Sequence, residues 1–80
     1  MTPSEAEETV ARAIRALELH RESLGVSKRQ LALRAGLDPK TVGLIERGER
    51  SPTLLTLLLI STALKADLPK ILAKASSHER

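Results

Sequence analysis

Residues 27–49 read SKRQLALRAGLDPKTVGLIERGE, and this stretch decides the fold. Ser27 can cap a helix, and Gly36 supplies the backbone freedom that a tight turn after that helix needs. Asp38 can cap a second helix in which Pro39 takes the first position, where its missing N–H is tolerated. The stretch therefore predicts two short helices joined at a glycine, which is a helix-turn-helix.

The second helix of this pair has two different faces. Val42 and Ile45 lie on the same side as the capping Asp38, which predicts that this side packs inward. The opposite side, at about 100° per residue, carries Lys40, Gly43, Leu44 and Arg47, with Thr41 on its flank.

The outer face of such a helix is the one that enters a DNA major groove. Lys40 can bond to guanine acceptors or to a phosphate, and Leu44 can pack on a thymine methyl group. Gly43 leaves the backbone bare, so that it can approach the groove closely. These residue types on one face predict a surface for double-stranded DNA.

The rest of the chain predicts three further helices and no strand, because no segment alternates with period two. A first helix starts after Thr2 and runs to about Leu24. The fourth helix is capped by Ser51 or Thr53, and the fifth follows Asp67. We therefore expect an all-α fold with one domain over residues 1–75 and a frayed tail over residues 76–80.

The composition excludes several classes of protein. The chain contains no cysteine, phenylalanine, tyrosine or tryptophan, which excludes thiolate chemistry and aromatic platforms for single-stranded nucleic acid. Its two histidines, His20 and His78, are too far apart in sequence to suggest a metal pair. No nucleophile–base pair or phosphate-binding glycine loop is recognisable. We expect no enzyme activity, no cofactor and no metal.

The location of the protein is predicted from two absences in the sequence. No apolar run approaches the ~20 residues of a membrane span, and no secretory signal opens the chain. We therefore expect a cytoplasmic protein without a membrane partner.

The basic residues are concentrated in the central segment. The net charge is +3, and residues 28–50 hold six Lys and Arg residues against three acids. Residues 1–27 hold three Arg residues against five acids. This distribution suits a polyanionic partner at the helix-turn-helix.

The order of these features resembles the Cro/repressor-type (lambda-repressor-like, XRE) helix-turn-helix family. The segment GVSKRQLALRAGLDPKTVGLIERGERSPTLLTLLLISTAL carries the resemblance, and LPKIL in the fifth helix extends it. The resemblance implies a compact five-helix DNA-binding domain with the helix-turn-helix at its second and third helices. It further implies a dimeric transcriptional regulator on a two-fold symmetric operator, either a repressor or an autoregulator.

The size of the chain is close to that of restriction-modification controller proteins, which are freestanding dimers of this family. Antitoxin components are a second variant, in which the same domain also holds a partner toxin. An interaction module with weak or lost DNA binding is the remaining alternative, and the Pro, Gly and Leu residues on the recognition face favour it.

The resemblance assigns roles to particular residues. Lys28 takes the position of a glutamine that contacts phosphate in relatives, and the loop from Arg47 to Ser51 matches one that touches the DNA backbone. Arg21 and Glu46 match an ion pair between the first helix and the recognition helix. The predicted DNA-binding residues are Ser27, Lys28, Arg29, Pro39, Lys40, Thr41, Gly43, Leu44, Arg47 and Arg50.

The fourth helix is apolar on more than one side, which is typical of a helix buried on several sides. We predict an inward stripe of Leu54, Leu57, Leu58, Ser61 and Leu64. A second stripe, predicted to form the dimer contact, consists of Leu55, Leu59, Thr62 and Ala66.

Overall fold

A computed structural model describes residues 1–77, and these residues form five α-helices. The helices are α1 (Pro3–Ser23), α2 (Lys28–Ala35), α3 (Pro39–Glu46), α4 (Leu54–Ala63) and α5 (Leu68–Ser76). The predicted all-α fold is thereby confirmed. Of the predicted tail, Ser76 ends α5 and Ser77 caps it, whereas His78 and residues 79–80 lie outside the described residues.

Every helix begins at a side chain that accepts a hydrogen bond from the first turn. The capping residues are Thr2, Ser27, Asp38, Thr53 and Asp67. Of the two candidates for α4, Thr53 is the cap and Ser51 is not. These contacts satisfy backbone donors that have no partner inside a helix, so they fix where each helix starts.

Four helices end in the same Schellman arrangement, with a left-handed residue just beyond the last turn. Gly25, Gly36 and Gly48 occupy that position after α1, α2 and α3, with φ angles between +69° and +77°. After α4 the position is taken by Lys65, whose φ is +53°. Within residues 1–77, Lys65 is the only one of these four positions that is not glycine. A residue with a side chain is strained in this left-handed conformation.

The core is aliphatic and is built by all five helices. Helix α2 packs on α3 and α4, and α1 packs on α5 and α3. Ala32 is completely buried on α2, and a small residue there allows close approach of a second helix. The buried cluster consists of Leu17, Val26, Leu31, Ala32, Ala35, Val42, Ile45, Leu57, Ile60, Leu64 and Leu68.

The predicted inward stripe of α4 is correct for Leu57, Ser61 and Leu64, which are buried, and wrong for Leu54 and Leu58. Leu54 and Leu58 were expected inside, but they are 65% and 48% exposed. Ile60, which the prediction omitted, is buried together with Leu57, Ser61 and Leu64. Ser61 is tolerated there because its hydroxyl donates to the carbonyl of Leu58 at 3.2 Å.

The second predicted stripe is partly exposed and partly packed against the core, and Ala66 lies beyond the end of α4 at Ala63. Leu55 is 66% exposed and Thr62 is exposed, whereas Leu59 and Ala66 are half-buried and pack against the core. The solvent-facing apolar surface is therefore made of Leu54, Leu55 and Leu58, with Thr62 beside them. At about 100° per residue, these four residues lie on an arc roughly 100° wide. We call this surface the α4 apolar face.

Candidate nucleic-acid interface

Helix α3 is held in place from behind by the core. Val42 and Ile45 are buried, in the same cluster as Leu31 and Ala32 of α2. The turn between the two helices is closed by the left-handed Gly36 and by a 2.8 Å bond from the Leu37 N–H to the Ala32 carbonyl. This support leaves the opposite face of α3 pointing away from the domain.

A buried ion pair also ties α3 to α1. Arg21 donates from Nε to Glu46 Oε2 at 2.8 Å and from Nη2 to Glu46 Oε1 at 3.0 Å, and from Nη1 to the Val26 carbonyl at 2.7 Å. Both charged side chains are only 8% exposed. The hydrogen bonds to Glu46 raise the pKa of Arg21, so the guanidinium is charged throughout the physiological range. The two residues expected to pair are in direct contact, and they orient the C-terminal end of α3.

The outer face of α3 carries cations and little else that is polar. Pro39, Lys40 and Arg47 are exposed, while Thr41 and Leu44 are half-buried. The face is therefore available to a partner at its two ends, where Lys40 and Arg47 lie.

Gly43 differs from its predicted state, because it is buried rather than bare. A Cβ atom built on Gly43 would lie 3.0 Å from Nη1 of Arg47. The Arg47 side chain thus folds back across the glycine and covers it. What a partner would meet at this point of α3 is the guanidinium and not the backbone.

Arg47 has a second contact in the loop that follows α3. Its Nε donates to Oε2 of Glu49 at 2.8 Å, and the two side chains are 54% and 56% exposed. The loop backbone is tied to the helix, since the N–H groups of Glu49 and Arg50 both donate to the Leu44 carbonyl, at 2.9 and 3.2 Å. The loop therefore presents Arg47, Glu49 and the exposed Arg50 in a defined arrangement.

The start of α2 contributes the remaining predicted contacts. Lys28 and Arg29 are exposed there. Ser27 accepts from the Gln30 N–H at 3.0 Å, and its own N–H donates to Gln30 Oε1 at 2.9 Å. The Ser27 oxygen is thus engaged as a cap, although its hydroxyl proton remains free to donate.

Two residues of this region were missing from the predicted site. Gln30 completes a capping box, and the spacing Ser-x-x-Gln was the signal that could have revealed it. Glu49 pairs with Arg47, and an acid inside the basic run ERGER was the corresponding signal. Neither residue carries a positive charge, so a prediction based on cations omitted both.

The described part of the chain contains neither a cluster of metal ligands nor a helix that could span a membrane. Within residues 1–77, no group of three or more His, Asp or Glu residues is placed to hold a metal ion. None of the five helices combines the length and the apolar character that crossing a membrane requires.

Comparison with known proteins places the chain in a family. A family model described as helix-turn-helix matches residues 17–71, so the chain belongs to the helix-turn-helix family. The resemblance to Cro/repressor-type proteins is confirmed by this match together with the relatives.

Two relatives are control proteins. Control protein C.SmaI from Serratia marcescens is 38% identical over 55 residues, which cover 69% of this chain and 66% of C.SmaI. The crystal structure of the restriction-modification controller protein C.AhdI from Aeromonas hydrophila matches with a TM-score of 0.66 at 32% identity. That match covers 82% of this chain and 96% of C.AhdI.

Proposed function

We propose that this protein is a sequence-specific, double-stranded DNA-binding transcriptional regulator of the restriction-modification controller type. It acts in the cytoplasm as a repressor or autoregulator, without catalysis and without a cofactor. The observation that carries the proposal is the placement of α3, which is fixed from behind by the core and by Arg21–Glu46 while it presents Lys40 and Arg47 outward.

In this function α3 enters the major groove, and the flanking cations contact phosphates on either side. Lys28 and Arg29 at the start of α2 and Arg50 in the loop after α3 are exposed and suited to that task. Neutralising phosphates releases counterions, so the affinity falls as the salt concentration rises.

Base recognition rests on few side chains. Lys40 donates to guanine acceptors, the hydroxyl of Thr41 bonds at the edge of the groove, and Leu44 contacts a thymine methyl group. Thr41 and Leu44 are half-buried, which limits how far they reach. Sequence-dependent shape of the DNA therefore contributes a larger share of the specificity than in proteins with several amide readers.

The protein functions as a homodimer, in which two α3 helices enter successive major grooves ~34 Å apart. The α4 apolar face supports this part of the proposal, because clustered exposed leucines are typical of an interaction surface. Leu55 and Thr62 of the predicted dimer stripe belong to this face. Leu59 is half-buried on the same helix and packs against the core, as does Ala66, which lies beyond the end of α4.

The DNA-binding proposal is tested with a duplex that the protein selects from a random pool and with a scrambled duplex of equal composition. We expect wild-type protein to prefer the selected duplex at two salt concentrations. Lys40→Ala should weaken binding about five- to tenfold, in line with ~1 kcal/mol or more for a base contact. Lys70→Ala, which removes an equally exposed lysine on α5, is the matched control and should bind as the wild type does. Equal affinity of the wild type for both duplexes would refute sequence specificity.

The dimer is tested by sedimentation of a variant with Leu55→Glu and Leu58→Glu. Charges on the α4 apolar face should yield a folded monomer, and DNA binding should weaken because the second half-site is lost. Leu19→Glu is the control, since Leu19 on α1 is 49% exposed, close to the 48% of Leu58, and lies outside both the face and the proposed DNA contacts. A double variant that sediments as a dimer would exclude this surface as the contact.

The alternative is an antitoxin-like or protein-interaction module. The small number of polar readers on α3 and the exposed leucines on α4 favour it. It becomes the better description if gel shifts with genomic fragments show only weak, salt-sensitive binding without sequence preference.

A further inference from the structure

The C-terminal end of α3 contains an arrangement that a phosphate-binding cation does not need. Arg47 is bonded through Nε to the carboxylate of Glu49, at 2.8 Å, and its Nη1 lies over Gly43. An arginine that only neutralises phosphate gains nothing from a neighbouring carboxylate, which repels the DNA backbone. Phosphate neutralisation therefore does not by itself account for the pairing.

The backbone that carries Glu49 is fixed to α3, and the Glu49 carboxylate has Arg47 as its hydrogen-bond partner. The N–H of Glu49 donates to the Leu44 carbonyl at 2.9 Å, and that of Gly48 to the Ile45 carbonyl at 3.0 Å. The loop is thus fixed to the last turn of α3 by the Schellman bonds. A side chain attached to such a backbone is suited to orient its neighbour.

Gly43 is the third residue of the arrangement that includes Arg47 and Glu49. A Cβ atom at position 43 would lie 3.0 Å from Nη1 of Arg47, so the end of the guanidinium would have to shift by a few tenths of an ångström. Glycine in a helix interior is less favourable than alanine, and the backbone of Gly43 is helical, so no turn requires it there. The Arg47 guanidinium is the group that an added Cβ atom at position 43 would meet within 4 Å.

We propose that Glu49 is a positioning residue, which together with Gly43 holds the Arg47 guanidinium across the outer face of α3 and thereby sharpens DNA sequence discrimination. The inference rests on the proposed DNA-binding function. With Nε occupied, the Nη groups of Arg47 remain as donors toward the groove. The carboxylate also disfavours contacts with the backbone alone, so it reduces binding to unrelated DNA more than binding to the preferred site.

The first test compares Glu49→Gln with Glu8→Gln, which changes the net charge equally at an exposed position of α1. Binding to the selected and scrambled duplexes is measured across a salt series. Glu49→Gln should bind the scrambled duplex more tightly, with a steeper salt dependence. Its preference for the selected duplex should fall about two- to fivefold, which corresponds to the interaction free energy of an exposed ion pair. Glu8→Gln should keep the wild-type preference.

The second test uses Gly43→Ala, which displaces Arg47 without changing any charge. Its melting temperature should equal or exceed that of the wild type, while its preference for the selected duplex should fall. A wild-type preference in either Glu49→Gln or Gly43→Ala overturns the proposal. A wild-type protein without any preference refutes the proposed sequence-specific function itself, so the two failures are distinguishable.

Discussion

Helices α3 and α4 are both short and rich in aliphatic residues, but they use those residues differently. In α3 the aliphatic side chains Val42 and Ile45 are buried, and the charged ends of the opposite face are exposed. In α4 leucine occurs on nearly every side, and the packing buries Leu57 while it leaves Leu54 in solvent. The two helices therefore differ in how strongly their sequences specify a rotation about the helix axis.

This difference shows when an amphipathic pattern is informative. The free energy of burying α3 depends steeply on its rotation, because turning it would bury Lys40 and expose Ile45. Turning α4 exchanges one leucine for another at little cost in transfer free energy. Only shape complementarity with the neighbouring helices selects its orientation.

The largest expected change in the free energy of unfolding comes from breaking the ion pair that holds α3 against α1. Glu46→Ala leaves the charge of Arg21 buried without its partner, so the free energy of unfolding should fall by ~3 kcal/mol. Glu49→Ala removes a half-exposed pair and should cost less than ~1 kcal/mol. Both are measured by thermal unfolding followed by circular dichroism. An unchanged melting curve for Glu46→Ala would contradict the structural role of the pair.

A second comparison tests the rotation of α4. Leu57→Ala empties a buried position and should lower the free energy of unfolding by about 2–3 kcal/mol. Leu54→Ala truncates a solvent-facing side chain and should cost less than ~0.5 kcal/mol. Urea denaturation is carried out at low protein concentration, where subunit contacts contribute least. Equal losses for the two variants would mean that α4 is rotated from the described orientation.

The smallest expected change in the free energy of unfolding comes from a substitution at Lys65, just after the end of α4. Lys65→Gly relieves a left-handed side chain and should raise the free energy of unfolding by about 0.5 kcal/mol, after the greater unfolded-state entropy of glycine is subtracted. Lys74→Gly places the same substitution inside α5 and should lower it by ~1 kcal/mol. Urea denaturation of both variants measures the two changes in the free energy of unfolding, which should have opposite signs. A loss of stability in Lys65→Gly would contradict the strain at this position.

The local features of the fold were predictable because they depend on residues close together in sequence. Asp38 and Pro39 mark the start of α3, and Gly36 marks the end of α2, since caps and left-handed turns are decided within a few residues. The Arg21–Glu46 contact required the family resemblance, because nothing local relates two residues on different helices. Glu49 was overlooked, although its partner is only two residues away.

The sequence by itself determined that this chain is all-α, where four of its five helices begin, and which side of α3 faces outward, because capping groups and segregated charges act over one or two turns. The tertiary structure alone decided which leucines of α4 face solvent and that Arg47 covers Gly43. Both depend on the shapes of surfaces that meet only after folding. Where several rotations or rotamers bury similar area, packing between helices makes the choice.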